Sequence, residues 1–409
     1  MSSSIRTLFL IAVACAACAE GSDDDTTPAT GGGVPWTTAT GTGGASAGGN
    51  GDGGAGGVTM GGAGAGGRPS EGGAGGTGGA PVAGGRVVML AVGTGGVLGG
   101  AFDGAAWSTS TLTGSSTDRP ALVMRGPNDA VAMFRNSGNL SFTGFDGSGW
   151  AATANVGASI TTRATPAMVA NAATAFAVFH GDDFMHYFAA YTASFNPSNE
   201  PVGSPQSFGP SSASVTLDGA DVVALYAGSN GDLYDQRRSG GAWQAASAHG
   251  LGDVVALTPA VVTLDSGALL AVYVDKTTSS LMFSVRESST WSAPTAVTGA
   301  LSQDPVSLAA LPSDQAMAAF RGTNGQVYAM TFDLAGSAFS APAAIASPNP
   351  TTPSTPAVAA GIDGAVAELA FVDGASGAVH HARWSGTTWS PPLPVGGASL
   401  SGVAIASSP

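Results

Sequence analysis

Cysteine is nearly missing from this chain of 409 residues: there are two, Cys15 and Cys18, and both stand in its first eighteen residues. The rest of the chain has no thiol. That excludes a disulfide-stapled scaffold, a cysteine-ligated metal and a cysteine nucleophile, and it leaves stability to a packed core. Lysine is scarcer still, with Lys276 alone beside twelve arginines. Against 27 acidic residues the formal net charge is −14, a balance that argues against nucleic acid or an anionic membrane surface as partner, since both select basic patches. Beyond the N-terminal segment the apolar runs are too short for helices and rich in Val, Phe, Tyr and Thr, which is the pattern of strands.

The N-terminal segment has one basic residue, Arg6, then Leu8-Phe-Leu-Ile-Ala-Val-Ala14 and small residues up to Cys18. This pattern predicts an export signal over 1–18 rather than a membrane span. Ala16-Ala17-Cys18 before the polar run Ala19-Glu20-Gly21-Ser22 resembles a bacterial lipoprotein cleavage site, which implies a lipidated Cys18 and a protein anchored in a bacterial cell envelope through that lipid. Cys15 stands where the pattern prefers leucine and is the weaker lipid acceptor; secretion after cleavage at a small-x-small site is the alternative. From 19 to 85 the composition turns to glycine, with 26 between Gly31 and Gly85. Such a stretch has nothing with which to bury a core, and the expectation is a disordered linker spanning about 45 Å on average.

The remainder, 86–409, repeats itself. The aromatics Trp107, Trp150, Phe195, Trp243, Trp291, Phe339 and Trp389 are spaced by 43, 45, 48, 48, 48 and 50 residues. In five copies an aliphatic residue stands ten positions before the tryptophan: Val97, Leu140, Leu233, Leu281 and Val379. A second register agrees, through Pro120-Ala-Leu-Val, Pro166-Ala-Met-Val, Ser212-Ala-Ser-Val, Pro259-Ala-Val-Val, Pro305-Val-Ser-Leu, Pro356-Ala-Val-Ala and Ser401-Gly-Val-Ala. Each unit holds four short apolar runs divided by turn residues, and Ser229-Asn-Gly231 and Thr323-Asn-Gly325 are hairpin turns. Units of this length and number predict an all-β fold, a seven-bladed β-propeller of four-stranded blades. The first folded run, Arg86–Val92, matches the second run of the repeat, whereas the final run, Ser401–Ala406, matches the first. The C-terminal strand is therefore expected to complete the blade that the N-terminal strand opens, closing the ring without a free edge.

Along each second run the pattern ends on an aromatic: Phe134, Phe179, Tyr226, Tyr273, Phe320 and Phe371. Burial between blades is the ordinary use of such rings. The residue after each varies, through Arg135, His180, Ala227, Val274, Arg321 and Val372, and stands where a strand enters its hairpin. Turns on a rigid scaffold are where binding groups collect, so Arg135, Arg321, Tyr234 and Tyr328 are candidates to give a ligand hydrogen-bond donors or ring faces, with His180 as a further one.

Ala319-Phe-Arg-Gly-Thr-Asn-Gly-Gln-Val-Tyr328, with Ala224-Leu-Tyr-Ala-Gly-Ser-Asn-Gly-Asp-Leu-Tyr234 and Gly240-Gly-Ala-Trp243, resembles the repeat of the seven-bladed bacterial propeller lectins of the fucose-binding PLL type. The resemblance covers 86–409. It implies weak binding of fucose-like or methylated sugars at several equivalent sites, with glycans as partners and no cofactor. A propeller that engages a surface protein is the alternative. A sialidase or glycosidase propeller is a third reading: Ser289-Thr-Trp291 and Gly386-Thr-Thr-Trp389 echo the end of an Asp-box. Its aspartate is missing, however, since Phe102, Phe145, Arg238, Arg286 and Trp384 stand five residues before the tryptophans. Glycoside hydrolysis needs two carboxyl groups across the scissile bond, and Glu368, which interrupts an apolar run, is the acid of most interest. No metal site is expected, because His380 and His381 project to opposite faces of a strand and His180, His186 and His249 lie in other units.

Overall fold

The computed structural model describes residues 85–157, 160–195, 200–203, 207, 211–252, 254–255 and 257–408. The expected signal segment, Cys18 and the glycine linker up to residue 84 lie outside them. The described chain forms seven antiparallel sheets and, among the described residues, no helix.

The first blade runs, from inside outward, through Leu400–Ser407, Val87–Gly93, Gly96–Phe102 and Trp107–Leu112. The second takes Ala121–Gly126, Asp129–Asn136, Asn139–Phe145 and Ala154–Asn155, and the third takes Ala167–Ala170, Ala175–His180, His186–Tyr191 and Glu200–Pro201. The fifth is Ala260–Thr263, Leu269–Val274, Ser280–Arg286 and Thr295–Leu301, and the seventh is Ala357–Ala360, Ala367–Val372, Val379–Trp384 and Leu393–Gly396. In the fourth blade, Ser214–Asp218, Asp221–Ala227 and Leu233–Ser239 are followed by an outer strand broken into Ala242–Trp243 and Ser247–Ala248. The sixth repeats that break, with Ser307–Leu311, Gln315–Arg321 and Val327–Asp333 inside Ala338–Phe339 and Ala343–Ala344. The innermost strands contact one another in order round the ring, and that of the seventh blade meets that of the first.

Closure takes the form read from the repeats. Val87 pairs with Ser407, Val88 with Ala406 and Leu90 with Ala404, so the last strand of the chain is a full member of the first sheet. This leaves no exposed inner edge for another chain to pair with.

The apolar runs are continuous rather than alternating because each blade is packed on both sides. Seven apolar clusters occupy the seven gaps between neighbouring blades, and Val87 to Val92 are each 0 % exposed as a result. Phe134, Phe179, Tyr226, Tyr273, Phe320 and Phe371 each fill the gap towards the preceding blade, every one at 2 % exposure or less. Burying one such side chain contributes about 1.5–3 kcal/mol, so the inter-blade rings are a main source of cohesion. The anchor aromatics do a second job: Trp107 pairs across the outer hairpin with Phe102 and Trp243 with Arg238. Isolated bridges join Trp150 to Phe145 and Trp389 to Trp384 in the same way. At Trp107, Trp150, Trp243 and Trp389 the residue five positions earlier, which stands where an Asp-box has its aspartate, is thus the cross-strand partner.

Candidate functional site

Antiparallel order divides the candidate groups between two ends of the blades. Hairpins joining second and third strands open at one end; those joining first to second and third to fourth strands open at the other.

At the first end lie the residues singled out from the sequence. Arg135 Nη1 donates to Asp118 Oδ2 at 2.9 Å, and Arg321 Nη1 donates to Asp304 Oδ2 at 2.7 Å while its Nε reaches the Thr352 carbonyl at 2.8 Å. Each aspartate sits just before an innermost strand, in a turn where the hydroxyl of Ser116 or Ser302 accepts from its amide. Arg135 also lines a cleft of about 270 Å³ with Thr94, Ser115, Thr117 and Ser137, a polar recess on the scale of a hydroxylated ligand.

Tyr234 and Tyr328 brace hairpins. Tyr234 stacks on Tyr226 at 6.0 Å between centroids and Tyr328 on Phe320 at 5.7 Å, and Asn230 and Asn324 donate to their hydroxyls at 3.0 and 2.9 Å. A Cβ on Gly228 would stand 2.5 Å from Tyr234 Cε2, and one on Gly322 would stand 2.7 Å from Tyr328 Cε2; glycine is what lets each ring lie flat on its turn. The third blade repeats the device with Gly181, Asp183 and Tyr187, whose hydroxyl donates to Asp183 Oδ2 at 2.5 Å. The spacing Gly-x-Asx-x-x-x-Tyr is shared by all three hairpins and was available to find Tyr187.

His180 requires a correction. It is 0 % exposed, pairs across the hairpin with His186 and has its ring 5.2 Å from that of His186. Where a hydrogen-bond donor open at the turn was expected, the ring is held inside the blade, although Arg321 at the equivalent end of its strand reaches Asp304. Burial, ahead of the nearby Arg163 charge, pushes its imidazole below the ordinary histidine value.

The other end holds sets that sequence reasoning passed over, each an arginine laid over an aromatic and tied to a carboxylate. Arg125 lies over Tyr191 at 4.9 Å and bonds Asp129 at 3.0 Å. Arg238 lies over Phe188 at 4.4 Å and grips Glu200 with two bonds, of 3.2 and 2.9 Å. Arg286 lies over Trp291 at 5.5 Å and reaches Asp235 at 3.2 Å. Burial alone would raise the Asp235 carboxyl, but hydrogen bonds from His249 and Trp291 and the Arg286 charge outweigh it and hold the group below the usual carboxylate value. Arginines five residues before Trp243 and Trp291 were the visible signal for two of these sets.

In the seventh blade the arrangement opens into a recess. Glu368 is 0 % exposed and accepts from Arg383 Nε at 3.0 Å and from the Ile362 amide at 3.4 Å. His381 Nε2 lies 2.8 Å from its other oxygen. Glu368 is thus the satisfied buried carboxylate that its place in an apolar run suggests. Arg383, held by it, lines a cavity of about 380 Å³ together with Asp363, Trp384, Ser385 and Trp389. The indoles of Trp384 and Trp389 lie 5.3 Å apart at 44°. The Arg383 guanidinium turns towards the first blade, over Phe102 at 5.4 Å, and the indoles pack on the side of the sixth, so the cavity is bordered by ring and guanidinium from the two faces of one sheet, with hydroxyls between them.

Comparison with known proteins bears on the fold. No family model and no curated relative matches this chain. Among solved structures, the BP39L lectin of Burkholderia pseudomallei superposes with a TM-score of 0.64 at 15 % identity, over 76 % of this chain and 95 % of that one. AofleA of Arthrobotrys oligospora superposes with a TM-score of 0.51 at 12 % identity, over 71 % of this chain and 89 % of that one. At such identities the likeness establishes the propeller architecture and nothing finer.

Proposed function

We propose that this propeller is a non-catalytic, multivalent carbohydrate-binding protein, with neutral sugars of the fucose-like or methylated kind as ligands. The observation that carries the reading is the recess of the seventh blade, where Arg383 and the two indoles share a cavity of about 380 Å³. A sugar presents an apolar face to an indole and hydroxyls to a guanidinium, and an open recess with few donors holds it weakly. The Arg135 cleft is a second polar recess, of about 270 Å³. Weak sites on one rigid ring become useful when several engage a glycan-coated surface together. The superposing BP39L protein is itself named a lectin, which agrees with the reading. A lipid on Cys18 and the glycine-rich stretch after it would tether the ring to a cell envelope and let it turn towards such a surface.

The test is a glycan array probed with the folded full-length chain, beside its Trp389→Ala and Arg383→Met variants. Signal on neutral glycans that falls at least several-fold in both variants is expected. Silence of the folded wild type on neutral and acidic glycans alike would replace this reading by that of a protein-interaction module. For the anchor, Cys18→Ser is expected to move the protein from the membrane to the soluble fraction.

A further inference from the structure

The seven innermost strands leave a channel on their common axis, with a cavity of about 390 Å³. That volume lies within the range of small-molecule sites, roughly 300–1,000 Å³. Prolines ring it, among them Pro120, Pro166, Pro259 and Pro305, because the repeat places one just ahead of most inner strands. The residue before the start of each inner run is small or polar in most blades: Thr165, Ser211, Thr258, Asp304 and Thr355. In the second blade it is Arg119.

Arg119 crosses the channel. Its Nε donates to the Val403 carbonyl of the first blade at 3.0 Å, and its Nη2 donates to Ser307 Oγ of the sixth at 3.1 Å. Gly402 makes the approach possible, since a Cβ there would stand 2.9 Å from Arg119 Cα. Among the described residues no carboxylate pairs with this guanidinium, and no further hydrogen bond engages its Nη1. Asp118 and Asp304 line the same channel, but their charges are met by Arg135 at 2.9 Å and Arg321 at 2.7 Å. Burial pushes the Arg119 guanidinium down to about 10, with no opposing carboxylate effect. Arg119 is part-buried, with surface still open to the channel, so its guanidinium keeps donors that the protein does not use. Two hydroxyls of the same lining, Ser212 Oγ and Ser354 Oγ, are buried without a hydrogen bond, although buried polar groups are normally satisfied.

We infer that the axial channel is a second binding site, one per ring and separate from the blade recesses, which takes a small oxyanionic ligand: a carboxylate or sulfate group, free or borne on an acidic sugar. Arg119 supplies the charge and the unoccupied N–H groups, and the idle hydroxyls of the lining complete the donor set. Charge-assisted bonds of this kind are about twice as strong as neutral ones, so this site discriminates anionic from neutral ligands where the indole recess does not.

Calorimetric titration of the folded full-length chain with sodium sulfate, sodium glucuronate and, as the neutral control, methyl glucoside tests this at constant ionic strength. Binding of sulfate or glucuronate at one per chain is expected, with affinity at least tenfold lower in Arg119→Met. Uptake of both anions means that the free group suffices; uptake of glucuronate alone means that the sugar is part of the ligand. Should Arg119→Met fail to fold, the double variant Ser212→Ala, Ser354→Ala gives the second reading, with affinity expected to fall several-fold. Absence of anion binding by the wild type, or equal affinity in wild type and the folded variants, overturns the inference.

Discussion

The amide of Arg86 donates to the hydroxyl of Ser408 at 2.9 Å, across 322 residues of chain, and the Ser408 amide returns a bond to the Arg86 carbonyl at 2.8 Å. Between these ends the strand Leu400–Ser407 buries Val403 and Ile405 at 0 % and 5 % exposure. Each such side chain contributes about 1.5–3 kcal/mol, and a whole domain is stable by only about 5–15 kcal/mol. Deleting residues 400–409 is therefore expected to abolish the cooperative thermal transition of the whole ring, measured by circular dichroism. A deletion variant that melts as the intact chain does would refute closure as a main source of stability.

The hairpin braces make a second prediction. At Gly322 a new Cβ would meet Tyr328 Cε2 at 2.7 Å and Asn324 Oδ1 at 2.9 Å, so Gly322→Ala has to displace a ring stacked on Phe320. Overpacking of this kind costs about 1–3 kcal/mol. In a Tyr328→Ala background the same substitution is expected to cost much less, because the ring it strikes is gone. Urea unfolding of the four proteins measures the coupling, and a cycle with additive effects would show that the ring does not brace the turn.

The fold was legible because its signal is repeated: seven aromatic anchors and the small or proline residues ahead of the inner runs mark two registers that agree. The functional groups were legible only in part, for a physical reason. Arg135 and Arg321 were visible as variation at a fixed place in the repeat, and Tyr234 and Tyr328 as the rings that close the Asn-Gly hairpin segments; the structure puts all four at one end of the blades. The recess beside Arg383 joins third and fourth strands through a buried acid on the second, and Arg119 reaches two other blades. Contacts between elements so far apart in the chain leave no local spacing to read. His180 misled because it holds the same place in its hairpin as Arg321, yet its short imidazole stays buried beside His186 where the longer guanidinium reaches out to Asp304.

The paired histidines of the third blade set the response to acid. Burial, with the charge of His180 second, pushes His186 down to about 3, and His180 is lowered as well. Around them stand Arg163, Asp182 and Asp183 and the ring of Tyr226, 4.8 Å from His186. With the folded-state value depressed, the unfolded chain takes up the proton first. The stability is fully present above about pH 6.5 and is lost as the pH falls towards 3, at about 1.4 kcal/mol per pH unit for His186. Between pH 7 and 5 a loss of about 2 kcal/mol from this residue is expected in urea unfolding, and His186→Gln should flatten that slope. An unchanged slope in a folded variant would remove His186 as its source.

Glu368 separates a structural carboxylate from a catalytic one. It is 0 % exposed and holds Arg383 at 3.0 Å and His381 at 2.8 Å, while His381 packs against Phe102 and Trp107 at 5.1 Å from each. Removing one partner of a buried ion pair costs about 3–5 kcal/mol because the other charge is left uncompensated. Glu368→Gln is thus expected to lower stability by about 3 kcal/mol and, by freeing Arg383, to weaken sugar binding in the seventh-blade recess. It should leave no change in aryl-glycoside turnover, since none is expected of the wild type. The double variant Glu368→Leu, Arg383→Met removes the pair together and should recover part of the lost stability without recovering binding. Measurable wild-type turnover that Glu368→Gln abolishes while stability stays intact would reverse the assignment and make this residue an acid of a hydrolase.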